Sequence, residues 1–327
     1  MHEMDTKSSP KNDIRPFFGI VGLGNLGKAL MLRLIAKGLN GIAVVKNLEQ
    51  ANQLQNRLNY KVNFVHSVNE IDVFPSYLFI TVQENNFDSV IESLLSHSDR
   101  LNQTTVIHCS GVLGNNTLGK ILPYSNGTAS LHPYQTFRNS DKKVDFSKEE
   151  LDFQRIIEIF DGVAWMCECS ASIKDDLSKL VTGIDGKIKF VDEIDNFDRG
   201  LYHLSAVFSS NYTLASLKSA YELALKSGIS PNDFIPKILS NTVENFIEFM
   251  ENDSLKIPFP ITGPIARADI KAIESHLLSL KNHDTEYKVY LLNSLAAIEN
   301  LFSSKLINEE QYNKTKSIFV NLIKDIY

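Results

Sequence analysis

The sequence contains few cysteines, no long hydrophobic run and no excess of positive charge. Its 327 residues include three cysteines and no Cys-x-x-Cys pair, which is typical of reduced thiols in a cytoplasm rather than a disulfide framework. No apolar run approaches the roughly 20 residues needed to span a bilayer. The formal net charge of −6 provides no general attraction to nucleic acid or an anionic membrane. These absences predict a cytoplasmic protein whose partners include neither nucleic acid nor membrane.

Short β-branched segments alternate with amphipathic segments over the first 192 residues, and only helical segments follow. The alternation predicts an α/β fold, with a Rossmann-type, doubly wound, mostly parallel sheet followed by an all-helical C-terminal domain. We therefore expect a disordered polar tail at 1–14, an α/β domain over 15–192 and a helical domain over 193–327. The predicted strands lie at 17–21, 42–46, 62–66, 77–82, 105–109, 128–132, 163–167 and 187–191.

A glycine-rich motif, GLGNLG, follows the first predicted strand and opens the first predicted helix. Gly22 permits the tight turn, Gly24 allows a pyrophosphate to approach the backbone, and Gly27 allows the helix to pack closely on the strand. Asn25 and Leu26 begin the helix, whose free N–H groups and positive dipole end attract phosphate. A glycine turn without a ligand is the alternative, but its place as the first turn of a complete alternating fold favours a dinucleotide site.

The residues after the second predicted strand indicate which dinucleotide is bound. NAD-binding proteins usually carry Asp or Glu there, because the acid accepts a hydrogen bond from the ribose 2′-hydroxyl. Here Lys46 and Asn47 follow the strand, and the first acid is Glu49. Lys46 can supply positive charge to a 2′-phosphate, so NADP(H) is the predicted cofactor. The alternative is that Lys46 is an ordinary solvated lysine.

The ends of the other predicted strands face the same crevice, where ligands bind in open α/β sheets. Thr81 and Val82 follow the fourth strand and Ser110 follows the fifth, so these residues are predicted to line the ribose and nicotinamide. His132 ends the sixth strand, where Pro133 turns the chain, which makes its imidazole a candidate catalytic group. Alternatively, His132 forms a hydrogen bond with a loop carbonyl.

The first long C-terminal helix, which contains LYHLSAVFSSNY, carries a polar stripe on an apolar background. At the helical spacing of ~100° per residue, Ser210 falls about 20° and Asn211 about 80° from His203, so the three residues share one face. Such a stripe needs partners, because burying unpaired polar groups costs free energy. We interpret the three side chains as catalytic groups facing the nicotinamide. A set of hydrogen bonds between helices is the alternative.

A second polar segment, ITGPIARAD, is predicted to open another helix, with Thr262 at its start and Arg267 in its first turn. An arginine in that position opposes the helix dipole. This placement is tolerable when the cation binds a substrate carboxylate or phosphate, so Thr262 and Arg267 are candidate substrate residues. An ion pair between Arg267 and Asp269 is the alternative.

Together, GLGNLG, HCSG, LHPYQTF, LYHLSAVFSSNY and TGPIARAD…HL resemble the motifs of a little-characterised bacterial family. Its members pair an NADP-binding Rossmann-like domain with a helical C-terminal domain of unknown function. More distantly, the chain resembles the 6-phosphogluconate dehydrogenase superfamily, including pyrroline-5-carboxylate reductase, ketopantoate reductase and F420-dependent NADP oxidoreductases. The resemblance implies an NADP-linked oxidoreductase that forms a homodimer through its helical domains. His203, with Asn211 beyond it, takes the place of the lysine of related hydroxyacid dehydrogenases, which argues against a lysine-assisted mechanism.

The residues and the resemblance together predict hydride transfer between NADP(H) and a small carbonyl, imine or alcohol. His203 would donate or accept the proton, since an imidazole works in both directions near neutral pH. A protein that binds or senses NADP(H) without turnover is the alternative. A metal hydrolase using His108, Cys109, His132 and His203 is a third hypothesis, although these residues lack the spacing of metal ligands. We expect no metal ion.

Overall fold

The computed structural model describes residues 15–48, 51, 58, 61–137, 155, 157–251 and 258–324. The disordered tail predicted at 1–14 lies outside these residues. The chain divides into two compact units, Met1–Val207 and Phe208–Tyr327. The first unit extends beyond the predicted domain boundary at 192–193, because the helix Arg199–Val207 contacts the sheet through Arg199 and Tyr202.

The first unit contains an eight-stranded sheet in the order β3-β2-β1-β4-β5-β6-β7-β8. All neighbouring strands are parallel except β6 and β7, which pair antiparallel. The predicted Rossmann-type, mostly parallel sheet is therefore confirmed. The strands are β1 (Phe18–Val21), β2 (Gly41–Val44), β3 (Val62–Val65), β4 (Tyr77–Ile80), β5 (Thr105–His108), β6 (Gly127–Pro133), β7 (Ala164–Cys169) and β8 (Lys187–Phe190).

Successive side chains of each strand point to opposite faces of the sheet, so β1 and β2, which are covered on both faces, are apolar along their whole length. Helices α1 (Asn25–Ala36) and α3 (Lys174–Gly183) cover one face, where the largest buried side chain is Trp165. Helix α2 (Phe87–Leu95) packs on the other face. Helix α4 (Arg199–Val207) follows β8 and is the last element of this unit.

The second unit is built from helices and contains no strand among its described residues, which confirms the predicted all-helical C-terminal region. The helix Asp284–Ser303 supplies much of its core, since its Leu291 packs with Phe319 of the helix Glu309–Lys324 and its Ile298 packs with Ile307. No helix among the described residues combines the length and apolar character needed to cross a membrane. A π-helical segment, Phe208–Tyr212, precedes α5 (Thr213–Lys226), α6 (Ile235–Glu251), α7 (Ile270–Ser279), α8 (Asp284–Ser303) and α9 (Glu309–Lys324).

Helix α7 begins later than the sequence predicted, and Arg267 is not in its first turn. Its N-cap is Asp269, whose carboxylate accepts a hydrogen bond from the backbone N–H of Ala272. Ala268, just before the cap, has φ +50°, a left-handed conformation that a helix cannot continue through. Thr262 and Arg267 are exposed residues of the preceding turn. Because Asp269 caps α7, the predicted helix start is wrong.

Candidate functional site

The glycine turn between β1 and α1 has the geometry of a phosphate-binding turn. Gly22 has φ +101°, which favours glycine, and Gly24 is the N-cap of α1 with open space where a side chain would project. A Cβ at Gly27 would lie only 2.5 Å from the Thr81 hydroxyl oxygen, so this position requires glycine. The first turn of α1, which starts at Asn25 and Leu26, has no acidic residue, and no side chain among the described residues caps it. The turn therefore presents free N–H groups to an anion.

The carboxyl ends of β2 and β4 flank this turn. Lys46 and Asn47 are exposed just after β2, and Lys46 forms no ion pair with any residue that the structure describes. Thr81 donates its hydroxyl to the Gly22 carbonyl oxygen at 2.6 Å, so this side chain supports the glycine turn. Val82 packs beside Gly22, where a Cβ would lie 2.8 Å from a Val82 methyl. The predicted cofactor-binding residues of β1, β2 and β4 thus share one edge of the sheet.

Ser110 follows β5, and its hydroxyl is occupied within the protein. It donates to a Glu84 carboxylate oxygen at 2.7 Å and accepts from the backbone N–H groups of Val112 and Leu113, both at 3.2 Å. His108, the last residue of β5, accepts from the Ser110 N–H and donates to a loop carbonyl, while burial lowers the pKa of its imidazole. Ser110 therefore shapes the loop after β5, and a ligand there would meet mainly backbone groups.

Beyond this loop, β6 and β7 present polar side chains on the sheet face that also packs against α2. Ser130 and Glu168 are direct cross-strand neighbours, and the Arg199 guanidinium, in the first turn of α4, binds both. Glu168 also accepts the Asn115 N–H at 3.1 Å, and Ser130 donates to the Leu113 carbonyl oxygen at 3.2 Å. One half-buried ion pair therefore anchors both helix α4 and the loop after β5.

His132 lies next to this ion pair, half-buried near the carboxyl end of β6. Its Nδ1 forms a 2.8 Å hydrogen bond with the hydroxyl of Tyr202 on α4, and the two rings meet edge to face. Burial, followed by the charges of His203 and Arg199, lowers the pKa of His132 to about 4. Its imidazole is therefore uncharged at neutral pH. His132 is therefore hydrogen-bonded to the Tyr202 side chain, and not to a loop carbonyl as the alternative interpretation expected.

His203 reaches the same place from α4. Its ring centroid is 6.4 Å from that of His132, and a Cβ at Gly111 would contact both imidazoles, 2.7 Å from His203 and 2.9 Å from His132 Nε2. His203 forms no hydrogen bond with the residues that the structure describes, and neither does His132 Nε2. Two imidazoles with unpaired nitrogens thus converge on a glycine at the carboxyl edge of the sheet.

Ser210 and Asn211 belong to the second unit, in the π-helical segment Phe208–Tyr212. Ser210 donates its hydroxyl to the Asn211 side-chain oxygen at 2.8 Å. The spacing of 100° per residue that placed them on one face with His203 does not hold through a π-helical turn. Their role as catalytic partners of His203 stays a prediction.

The four residues of the metal-hydrolase hypothesis do not share one environment. His108 and Cys109 are consecutive, so their side chains point to opposite faces of the sheet. Burial raises the pKa of Cys109 to about 12, which keeps its sulfur protonated, whereas a metal requires a thiolate. No group of three or more potential ligands is gathered among the described residues.

Sequence reasoning missed Tyr202, Arg199 and Glu168. Tyr202 belongs to the LYHLSAVFSSNY motif, but an aromatic residue next to a histidine does not indicate which strand its side chain contacts. Glu168 carried a clearer signal, since a carboxylate in the otherwise apolar strand WMCEC requires a cation when it is partly buried. Arg199 lies 31 residues from Glu168 along the chain. The pairing of the two side chains is therefore visible only in the tertiary structure, where β7 runs antiparallel to β6.

Two family models match the sequence. The model "NADP oxidoreductase coenzyme F420-dependent" matches residues 18–111, and the model "Domain of unknown function (DUF2520)" matches residues 163–297. Together they confirm the resemblance inferred from the motifs. The chain combines a domain of the F420-dependent NADP oxidoreductase type with a C-terminal region of unknown function. No curated protein matches the sequence.

Solved structures share the fold at low sequence identity. A candidate NADP oxidoreductase from Bacteroides fragilis is 19% identical with a TM-score of 0.65, covering 86% of this chain and 97% of its own. An imine reductase from Myxococcus stipitatus in complex with NADP+ is 10% identical with a TM-score of 0.55, covering 95% of both chains. The Plasmodium falciparum pyrroline carboxylate reductase with NADP bound is 15% identical with a TM-score of 0.52, covering 93% of this chain and 98% of its own.

The close packing at Gly27 predicts a large difference between two glycine substitutions. Gly27→Ala should destabilise the protein by about 1–3 kcal/mol, because the new methyl group overlaps the Thr81 hydroxyl and the Gly22 carbonyl. Gly183→Ala, in α3, meets no atom within 4 Å and should be neutral or stabilising by up to about 1 kcal/mol. Urea denaturation of both variants measures the difference, and equal stabilities would contradict the packing described here.

Proposed function

We propose that this chain is an NADP(H)-dependent oxidoreductase that transfers hydride to or from a small carbonyl, imine or alcohol. The observation that carries the proposal is the convergence of His132 and His203 on Gly111, at the sheet edge that also bears the glycine turn. The N-terminal match to F420-dependent NADP oxidoreductases supports it, and so does the fold shared with reductases that bind NADP.

The residues of the first unit fit a dinucleotide. The open Cβ position of Gly24 and the uncapped N-terminus of α1 would accommodate the pyrophosphate. From β1 the sheet edge continues through β4 and β5 to β6, three strand spacings or about 14 Å, and His132 lies near its far end. A dinucleotide anchored on the glycine turn would extend along this edge. When bound, the nicotinamide supplies or accepts the hydride.

The chain's own groups then position the substrate and move its proton. His203, whose ring nitrogens form no hydrogen bond with a described residue, would give a proton to the oxygen or nitrogen of the reduced substrate, or remove it in the opposite direction. His132 Nε2 would bind the same atom. Ser210, Asn211, Thr262 and Arg267 remain candidates for holding the rest of the substrate. Arg267 is the cation suited to a carboxylate, since it forms no ion pair with a described residue.

Lys46 is predicted to determine the preference for NADPH over NADH. Lys46→Asp should weaken NADPH binding and narrow or reverse the ratio of the two affinities, because a carboxylate repels the 2′-phosphate and accepts from a 2′-hydroxyl. Lys61→Asp is the matched control, since Lys61 precedes β3 and therefore lies at the amino ends of the strands, away from the glycine turn. Fluorescence titration with both cofactors measures the ratios. An unchanged ratio in Lys46→Asp would identify Lys46 as an ordinary solvated lysine.

His203→Ala should abolish turnover while leaving NADPH affinity and stability nearly unchanged, within about 0.5 kcal/mol, because the ring forms no hydrogen bond with a described residue. His97→Ala is the control with the opposite pattern: its Nε2 is 2.9 Å from the Asn69 side-chain oxygen, so stability should fall and turnover should not. NADPH oxidation is followed at the nicotinamide absorbance with a panel of imines and ketones. If the wild type binds NADPH but oxidises none of it, the protein senses the cofactor and the oxidoreductase proposal fails.

We also propose that the second unit mediates homodimerisation. Helix α6 has no buried residue, although its apolar side chains form one stripe along the helix. Helix α8, by contrast, buries apolar residues inside its own unit. The exposed stripe of α6 consists of Val243, Phe246, Ile247 and Met250, each 42–56% exposed. A second copy of the same stripe would cover it.

Placing charge on the stripe should separate the dimer. The double variant Val243→Glu with Ile247→Glu puts two carboxylates on one face, four residues apart, and should sediment as a monomer. Asn241→Glu adds a charge to the opposite face of the same helix and should leave the dimer intact. Sedimentation velocity at micromolar concentration distinguishes the species. A monomeric wild type would contradict the proposal.

A further inference from the structure

Tyr202 has a role at the site that sequence reasoning did not assign. Its hydroxyl lies 2.8 Å from His132 Nδ1. Tyr134, which follows β6, stacks on the Tyr202 ring at 5.1 Å, and its own hydroxyl is bonded to Ser205. The Tyr202 ring is thus held from one side by Tyr134 and from the other by His132, so its hydroxyl has little freedom to turn away.

The direction of the Tyr202–His132 hydrogen bond follows from the available partners. Burial raises the pKa of Tyr202, so its phenol keeps its proton at neutral pH. Nδ1 of His132, 2.8 Å from the Tyr202 hydroxyl oxygen, is the acceptor that the described residues provide for that proton. When Nδ1 accepts, a neutral imidazole carries its hydrogen on Nε2. Nε2 is the nitrogen that points toward Gly111 and forms no bond with a described residue.

The charges around His132 disfavour a second proton on its ring. Arg199 and His203 on α4 and His108 on β5 all act against an imidazolium, and the carboxylate of Glu168 is engaged by Arg199. The ring is also half-buried, which removes water that would solvate a charge. The titratable or charged groups that surround it are Tyr202, His203, Arg199, His108, Glu168 and Tyr134.

We propose that Tyr202 is a positioning residue that fixes His132 as an uncharged Nε2–H hydrogen-bond donor to the substrate oxygen or nitrogen. This role rests on the proposed oxidoreductase function. The two histidines then have different roles, one as a hydrogen-bond donor and the other as a proton donor. His132 polarises the C=O or C=N bond without giving up its proton, while the hydride pair goes to carbon. The proton that completes the reduced oxygen or nitrogen comes from His203, which is left neutral.

The ring state of His132 is measured first, in the protein without cofactor or substrate. Two-bond hydrogen–nitrogen NMR correlations of 15N-histidine-labelled protein report the tautomer, and a His132→Gln sample assigns the signal. The wild type should show the Nε2–H tautomer, with no titration between about pH 5.5 and 8. Tyr202→Phe should lose this single tautomer, whereas Tyr134→Phe, which removes the neighbouring hydroxyl, should keep it.

Kinetics then test the role of that ring. Tyr202→Phe should lower kcat about tenfold with little change in KM or NADPH affinity, as expected when an interaction of the transition state is weakened by ~1.4 kcal/mol. Tyr134→Phe should retain wild-type rates. His132→Gln, whose amide N–H can occupy the place of Nε2–H, should retain part of the activity that His132→Leu loses. The substrate is the imine or ketone that the wild type reduces fastest.

Three results would overturn the proposal. An Nδ1–H tautomer or an imidazolium in the wild type at neutral pH would refute the assigned ring state. An unchanged tautomer in Tyr202→Phe would show that another group orients the ring. Equal activities of His132→Gln and His132→Leu would show that His132 does not act as a neutral donor. If the wild type reduces no imine or ketone, the proposed function fails and this role fails with it, while the NMR result still decides whether Tyr202 orients His132.

Discussion

The ion pair between Arg199 and Glu168 ties the start of α4, the helix that carries His203, to the strands beside His132. Its carboxylate comes from β7 and its guanidinium from the start of α4, and the same carboxylate holds the Asn115 N–H of the loop after β5. A partly buried ion pair adds little net stability, because desolvation offsets much of the attraction, but it restricts geometry strongly. Without it, α4 would be attached to the sheet by the hydrogen bonds of Tyr202 and Ser205, and its first turn would lose its polar contact with β6 and β7.

Along the carboxyl edge of the sheet, the candidate sites near β1 and near β6 are built from different groups. At β1 the proposed cofactor site is made of backbone, since Gly24 leaves open space and Gly27 lets α1 approach the strand. At β6 the candidate catalytic groups are side chains, held by hydrogen bonds to other side chains such as that between His132 and Tyr202. Backbone suits phosphates that are common to every reaction of this fold, whereas side chains can change with the substrate.

Local sequence patterns predicted the sheet and the glycine turn well, because both depend on short-range rules. The alternation of strands and helices and the GLGNLG motif each lie within a few tens of residues. The sequence predicted that α7 starts too early, at the turn that contains Thr262. In the structure Asp269 is the N-cap instead, and Ala268 before it takes a left-handed conformation that the sequence did not indicate. The contacts of His132 could not be predicted, since Tyr202 is 70 residues distant and reaches it only through the tertiary fold.

A histidine at position 203 is consistent with the charge of its surroundings. Arg199 already places one cation beside the site, and Glu168 neutralises it only in part because this carboxylate is shared with the loop after β5. A lysine at position 203 would add a second, permanent charge within reach of Arg199 and would be costly to desolvate. An imidazole, unlike a lysine ammonium, does not carry a permanent charge. The structure therefore places one ion-paired cation, Arg199, and two imidazoles, His132 and His203, on one face of the sheet.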